Sequence, residues 1–214
     1  MTTDDLAAPS VDDCLRSLGL KGMATATGLA AAFDGVAHDT IARHLASLVD
    51  AGLASPVAGE RLRITDAGRA RLDASFVAEA ERVAPTMAQA LDDFHAVNLV
   101  FKLTVTRWQL RDIDGEQVPN DHNDPAYDES VIRELHNVHD ATAPILKLVS
   151  GHVTRLGGYR QRLDAALRHI GAGDHRYVAH PGVESYHTVW FELHEELIRL
   201  AGRTRSAEAE AGRA

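Results

Sequence analysis

The chain has 214 residues, of which 45% are apolar and 25% are charged, and its formal net charge is −9. This is the composition of a folded globular protein, so an intrinsically disordered chain is excluded. Such an excess of acidic residues argues against a protein that coats nucleic acid without sequence preference, although a local basic surface remains compatible with it.

The targeting features of the sequence predict a cytoplasmic protein without membrane contact. No stretch approaches the roughly 20 consecutive apolar residues that a membrane span requires. Residues 1–10 contain two acids and no basic residue, unlike a secretory signal. The single cysteine, Cys14, cannot form an internal disulfide, and one cysteine is too few for a four-cysteine zinc motif. We therefore expect a fold that depends on packing.

Residues 1–80 are predicted to form a small domain of three short helices and a β-hairpin. The helices are predicted over residues 11–20, 27–33 and 38–51. Helical spacing in the third gives the inward-facing set Ile41, Leu45, Leu48 and Val49. Two short extended segments, 53–55 and 61–64, flank a turn-forming stretch that contains Pro56 and Gly59. Thr65 or Asp66 is expected to cap the next helix.

This part of the chain resembles the winged helix-turn-helix of the MarR and related bacterial regulator families. The likeness lies in residues 40–53, which end in Asp50-Ala51-Gly52-Leu53, and in residues 61–68, which end in Ile64-Thr65-Asp66-Ala67-Gly68. Ile64 stands where the family pattern has leucine. The resemblance implies a recognition helix followed by a wing, and double-stranded DNA as partner.

If the third helix enters a major groove, its outward side chains face the bases and phosphates. Arg43 is the best candidate for a bidentate contact to guanine. The candidate DNA-binding residues are Thr40, Arg43, His44 and Ser47 on the helix, with Arg61 and Arg63 on the wing. The alternative is that these residues form only the solvated face of a small domain, because the surrounding charge is close to balanced.

Residues 81–205 are predicted to form an all-helical domain. We expect this domain to supply the dimer contacts and an effector pocket. Breaks are expected at Pro85, at 112–127, at Gly157-Gly158 and at 171–182. Steps of four and three predict a helix packed along its length, with inward residues Met87, Leu91, Phe94, Asn98, Phe101, Val105 and Trp108. Asn98 on this seam either fixes the register of a helix pair or contacts a polar ligand.

Two further stretches, 131–156 and 183–201, place histidines on apolar helix faces, and Pro144 is expected to kink or break the first. Together with the seam they suggest a lining for a planar or anionic small molecule. The candidate ligand-binding residues are Phe94, Asn98, His139, His187, Trp190 and His194. The alternative is that each histidine is hydrogen-bonded inside a helical bundle.

No metal site, cofactor or enzymatic activity is expected. Glu184 and His187 have a Glu-x-x-His spacing, but the second such motif of a dimetal bundle is missing. Phosphate-binding loops and nucleophile motifs are missing as well. Residues 206–214 are predicted to be a flexible, solvated tail.

Residues 185–197 are similar to helical segments of proteins that accompany phosphoenolpyruvate-utilising phosphotransfer enzymes, although the Gly-Gly-x-Thr-Ser-His phosphohistidine motif is missing. The sequence therefore leaves two hypotheses. The first is a dimeric DNA-binding transcriptional regulator controlled by a small molecule. The second is an accessory subunit of a phosphoenolpyruvate-utilising metabolic enzyme that uses the winged helix for protein docking.

Overall fold

A computed structural model describes residues 9–33 and 35–213 of the chain. It is mainly helical, with two small antiparallel sheets, and it divides into two compact units, Met1–Glu79 and Ala80–Ala214. None of the helices in the described ranges is long and apolar enough to cross a membrane.

The first unit, unit 1, contains three helices and a three-stranded sheet before the start of a long helix. Its elements are α1 Val11–Lys21, β1 Met23–Ala24, α2 Ala26–Ala30, α3 His38–Asp50, β2 Ala54–Val57 and β3 Arg61–Ile64. The strand order is β1-β3-β2, and Ser55 pairs with Arg63. A capping box between Ser10 and Asp13 starts α1. The predicted inward residues Ile41, Leu45 and Leu48 are buried, whereas Val49 is half-buried.

The connection from the hairpin to the long helix α4 depends on the hydroxyl of Thr65 and on the absence of a side chain at Gly68. The Thr65 hydroxyl donates to the Gly52 carbonyl at 2.7 Å and accepts from the Gly68 amide at 3.1 Å. A Cβ at position 68 would lie 2.1 Å from the carbonyl oxygen of Leu53, so only glycine permits this close approach. The Thr-x-x-Gly pattern therefore locks the end of α3 to the start of α4.

Unit 2 is built from helices and one hairpin. Its elements are the greater part of α4 Asp66–Gln109, then β4 Leu110–Ile113, β5 Glu116–Pro119, α5 Pro125–His152, the 3-10 turn Thr154–Leu156, α6 Gly157–Gly171, α7 Arg176–Ala179, α8 Tyr186–Leu200 and α9 Arg205–Glu210. All seven inward residues predicted between positions 87 and 108 are buried, with exposures of 8% or less. The predicted packing seam of α4 is confirmed.

Pro85 and Pro144 both lie inside helices. The predicted break at Pro85 is wrong, because α4 continues through it. Pro85 and Glu81 are both exposed, so the Glu81 carbonyl that loses its amide partner faces water. Pro144 likewise lies within α5, which is unbroken from Pro125 to His152.

Two other segments gain structure that the sequence did not predict. Residues 110–119 form a hairpin in which Asp112 pairs with Gln117, where we expected an irregular connector. Residues Arg205–Glu210 form α9, where we expected a solvated tail from position 206. Glu208 is 1% exposed and receives hydrogen bonds from Arg213, and it lies 3.1 Å from His95. The contact of Glu208 with His95 joins α9 to α4 within unit 2.

Candidate functional site

In unit 1, helix α3 has one buried and one exposed face. Ile41, Leu45 and Leu48 lie inward, while Arg43 and Ser47 are exposed. The 3.6-residue period of the helix separates the two sets. Contacts with the neighbouring helices α1 and α2 hold the buried side of α3. The exposed face is therefore rigidly supported from behind.

Three of the polar residues of α3 are joined by hydrogen bonds. The Arg43 guanidinium donates from Nη2 to the Thr40 hydroxyl at 3.1 Å, and the Ser47 hydroxyl donates to the Arg43 carbonyl at 3.1 Å. Thr40 and His44 are half-buried. The four predicted helix residues are thus brought together on α3.

The two arginines of the hairpin alternate with inward residues along β3. Arg61 and Arg63 are exposed, Leu62 is half-buried and Ile64 is buried. Arg61 donates from Nε to the Ala58 carbonyl at 3.1 Å, which holds its side chain along the hairpin turn. A strand period of two places both guanidiniums on the solvent side of the sheet.

These arginines differ from others in unit 1 in their pairing with carboxylates. Arg16 lies 3.4 Å from Glu79, and Arg71 lies 2.8 Å from Asp12. No carboxylate among residues 9–33 and 35–213 forms an ion pair with Arg43, Arg61 or Arg63. Their positive charges are therefore not compensated by an ion pair, which suits them to an external anion such as a phosphate.

In unit 2, three of the predicted ligand-binding residues pack directly against one another. The Trp190 indole stacks on Phe94 with ring centroids 4.7 Å apart, and its N–H donates to Asn98 Oδ1 at 2.9 Å. All three residues are at least 94% buried. These three side chains fill the space between them, so they do not line an open pocket.

The three predicted histidines have three different surroundings. His139 is buried, with Nε2 at 2.9 Å from Asp164 and Nδ1 at 3.4 Å from the Tyr186 hydroxyl. Burial lowers its pKa although Asp164 opposes this. His187 is exposed, with its ring beside that of Phe101. The expectation that it lies on a buried face of its helix is therefore wrong.

His194 is 3% exposed, and its ring is tilted against that of Phe94 with centroids 5.2 Å apart. Its Nε2 has no hydrogen-bond partner within the described part of the chain. Burial lowers its pKa to about 4, so the ring is neutral at ordinary pH.

Of the Glu-x-x-His pair, the glutamate forms an ion pair with an arginine. The Glu184 carboxylate accepts from Arg162 Nε at 2.7 Å, and Arg162 also donates to Glu192 at 2.6 Å. Across residues 9–33 and 35–213, no group of three histidine, cysteine or acidic side chains has a geometry that could hold a metal ion.

Unit 2 also contains a cleft that the sequence did not predict, which we call the imidazole cleft. Its volume is about 430 Å³, and its lining includes Trp108, His122, His175 and His180. These residues are separated by up to 72 positions in the chain, and only Trp108 lies on a periodic pattern. The sequence feature that pointed towards such a cleft was the unusual number of histidines after residue 80.

Comparison with known proteins adds no family assignment. No family model matches the chain, and neither a curated protein nor a solved structure matches it.

Proposed function

We propose that the protein is a DNA-binding transcriptional regulator whose unit 1 is a winged helix-turn-helix. The observation that carries this proposal is a set of exposed arginines that have no carboxylate partner in the described part of the chain, Arg43 on α3 and Arg61 and Arg63 on β3. In a winged helix these are the positions of the recognition helix and of the wing.

The order of the elements supports the fold part of the proposal. Helices α2 and α3 follow one another closely, and the antiparallel strands β2 and β3 follow α3 directly. This is the order of a helix-turn-helix with a wing. The rigid connection through Thr65 and Gly68 would keep the wing at a fixed distance from the recognition helix.

Side-chain chemistry supports the DNA-binding part. Arg43 would read guanine through its two parallel N–H groups, and Thr40, His44 and Ser47 would contact neighbouring bases or phosphates. Arg61 and Arg63 would contact the backbone. Asp39, Asp50 and Glu60 are exposed nearby, so specific contacts, more than overall attraction, would have to supply the affinity.

We propose that the regulator is a homodimer, because paired half-sites multiply a modest affinity. Helix α4 supports this with a cluster of exposed apolar side chains, Leu99 at 61%, Val100 at 49% and Leu103 at 58%. An exposed apolar cluster on one helix is typical of an interaction surface. Since all three lie within about one turn and a half of α4, a second copy could cover them with the same cluster.

The direct test is binding to a fluorescent duplex that spans the upstream region of the protein's own gene, at two salt concentrations. A regulator should bind selectively, and its affinity should fall steeply with salt because phosphate contacts release counterions. No binding at the lower salt concentration would refute the proposal.

The second candidate is an accessory subunit that uses unit 1 to dock on a metabolic enzyme, as the similarity of residues 185–197 suggests. The acidic net charge of −9 favours it. A pull-down in which Arg43→Ala retains the protein partner would support this candidate, whereas loss of operator binding in the same variant would support the first.

A further inference from the structure

The imidazole cleft has a floor and a rim of different chemistry. Trp108 at the end of α4 is 7% exposed and Ala179 is half-buried, so they form an apolar floor. His175, Arg176 and His180 are exposed and supply polar groups around it. A volume of about 430 Å³ suits a small organic molecule better than a single ion.

One side of the cleft is an imidazole ring that is held in place. His122 packs on Trp108 with ring centroids 4.5 Å apart, and its Nδ1 lies 2.9 Å from the carboxylate of Asp128. Asp128 is itself 5% exposed and accepts a hydrogen bond from Asn120 at 2.8 Å. The His122 side chain nevertheless remains 42% exposed. The ring is therefore an immobilised aromatic surface with one side available to solvent.

The backbone at His122 supports the same interpretation. Its φ angle is 57°, in the left-handed region that costs a non-glycine residue free energy. The Asn120 side chain stabilises this conformation by accepting from the His122 amide at 3.2 Å. The surrounding contacts thus hold the ring in position before any ligand arrives.

The rim provides donors suited to an anionic group. Arg176 donates from Nε and Nη2 to Asp174, which leaves Nη1 for a ligand. His180 accepts from the Gly182 amide through Nδ1 at 3.0 Å, so its Nε2 carries a hydrogen and is a donor. His175 completes this side, with its ring 5.6 Å from Trp108.

Gln109 supplies a third kind of group. Its exposed side chain lies on the cleft wall next to Trp108 and carries both a donor and an acceptor. A carboxamide of this type pairs with the edge of a nucleobase, which also offers adjacent donors and acceptors.

We propose that the imidazole cleft binds a free mononucleotide, with its base against the His122 ring and its phosphate at Arg176, His175 and His180. Stacking on a flat ring accounts for the base, and the guanidinium and imidazole donors account for the phosphate. The volume of the cleft accommodates both parts. This site goes beyond the proposed function, since it requires no DNA.

The experiment is isothermal titration calorimetry of the full chain with AMP, with adenosine and inorganic phosphate as partial ligands. AMP should bind at least about tenfold more tightly than either part, because its base and phosphate contacts then act together in one molecule. His122→Ala should weaken AMP binding by about tenfold, whereas His122→Phe keeps a flat ring and should retain most of it. Arg176→Ala should weaken AMP but leave adenosine unchanged.

Two exposed residues outside the cleft provide matched controls, His136→Ala on α5 and Arg168→Ala on α6. Both should bind AMP like the wild type. Circular dichroism melting establishes that each variant is folded. Absence of heat with AMP, GMP, CMP and UMP at millimolar concentration overturns the proposal, and so does AMP binding that His122→Ala and Arg176→Ala leave intact. Neither result bears on operator binding, which is measured separately.

Discussion

Trp190 on α8 donates its indole N–H to the side-chain oxygen of Asn98 on α4 at 2.9 Å, inside the core of unit 2. The two residues are 92 positions apart in sequence. Asn98 is 6% exposed and Trp190 is 2% exposed. Of the two roles that the sequence left open for Asn98, this bond corresponds to the fixing of helix register.

Loss of the Asn98 amide should destabilise unit 2. Asn98→Ala leaves the buried Trp190 N–H without its acceptor, and an unsatisfied buried donor costs about 1–3 kcal/mol. Urea denaturation measures the change in the free energy of unfolding. Arg82→Ala, at an exposed position of the same helix outside the apolar cluster, should change it by less than about 0.5 kcal/mol. Equal effects of the two substitutions would refute a structural role for the bond.

The buried pair of Arg162 and Glu192 should be sensitive to loss of one partner. Their side chains are 12% and 2% exposed, and Glu192→Ala leaves the buried guanidinium with Glu184 as a remaining carboxylate partner. Because one partner remains, we expect a cost of about 1–3 kcal/mol, below that of a fully unpaired buried charge. The control is Arg133→Ala, which disrupts an exposed pair with Glu129 and should cost about 1 kcal/mol or less. Thermal and urea unfolding compare the two, and a similar cost for both would contradict the prediction.

His194 should make stability depend on pH. Burial lowers its pKa from 6.5 to about 4 in the folded chain, so the unfolded chain binds more protons between these values. Stability should therefore fall as pH decreases from about 6.5 to 4, by about 3 kcal/mol from this residue. His194→Phe should make the curve of unfolding free energy against pH flatter than that of the wild type. The exposed His136→Gln is the control, and an unchanged curve in His194→Phe would be evidence against the assignment.

Operator binding should depend on Arg43. Replacing Arg43 with alanine removes a proposed bidentate base contact, and we expect a loss of about 1–3 kcal/mol together with relaxed specificity. Arg61→Ala combined with Arg63→Ala should instead weaken binding to all sequences and reduce its salt dependence. Arg82→Ala removes an exposed arginine of α4 outside the proposed interface and should have little effect. Fluorescence anisotropy at two salt concentrations distinguishes these outcomes.

Dimerisation should depend on the exposed apolar cluster of α4. Leu103→Glu places a charge in the proposed contact, and sedimentation equilibrium should detect at least about a tenfold weaker dimer. Val77→Glu is the matched control, because Val77 is 63% exposed on the same helix outside the cluster. A wild-type protein that is monomeric at micromolar concentration would reject this part of the proposal.

Much of the local structure was determined by the sequence alone. Helical spacing predicted the buried set of α3 apart from Val49, and the complete seam of α4 from Met87 to Trp108. These predictions succeed because the positions of apolar residues along a helix determine which face packs inward. The turn-forming stretch with Pro56 and Gly59 predicted the extended segment 61–64, which became β3.

Tertiary structure decided the features that depend on distant partners. Pro85 is accommodated in α4 because the carbonyl it leaves unpaired faces water, which no local pattern encodes. α9 forms where Glu208 meets His95, and His187 turns outward while His194 is enclosed beside Phe94. The imidazole cleft likewise combines the end of α4 with loops that follow it by up to 72 positions. Periodicity assigns a residue to a face of its own helix, but the pairing of faces and the position of an open space follow only from how the helices pack.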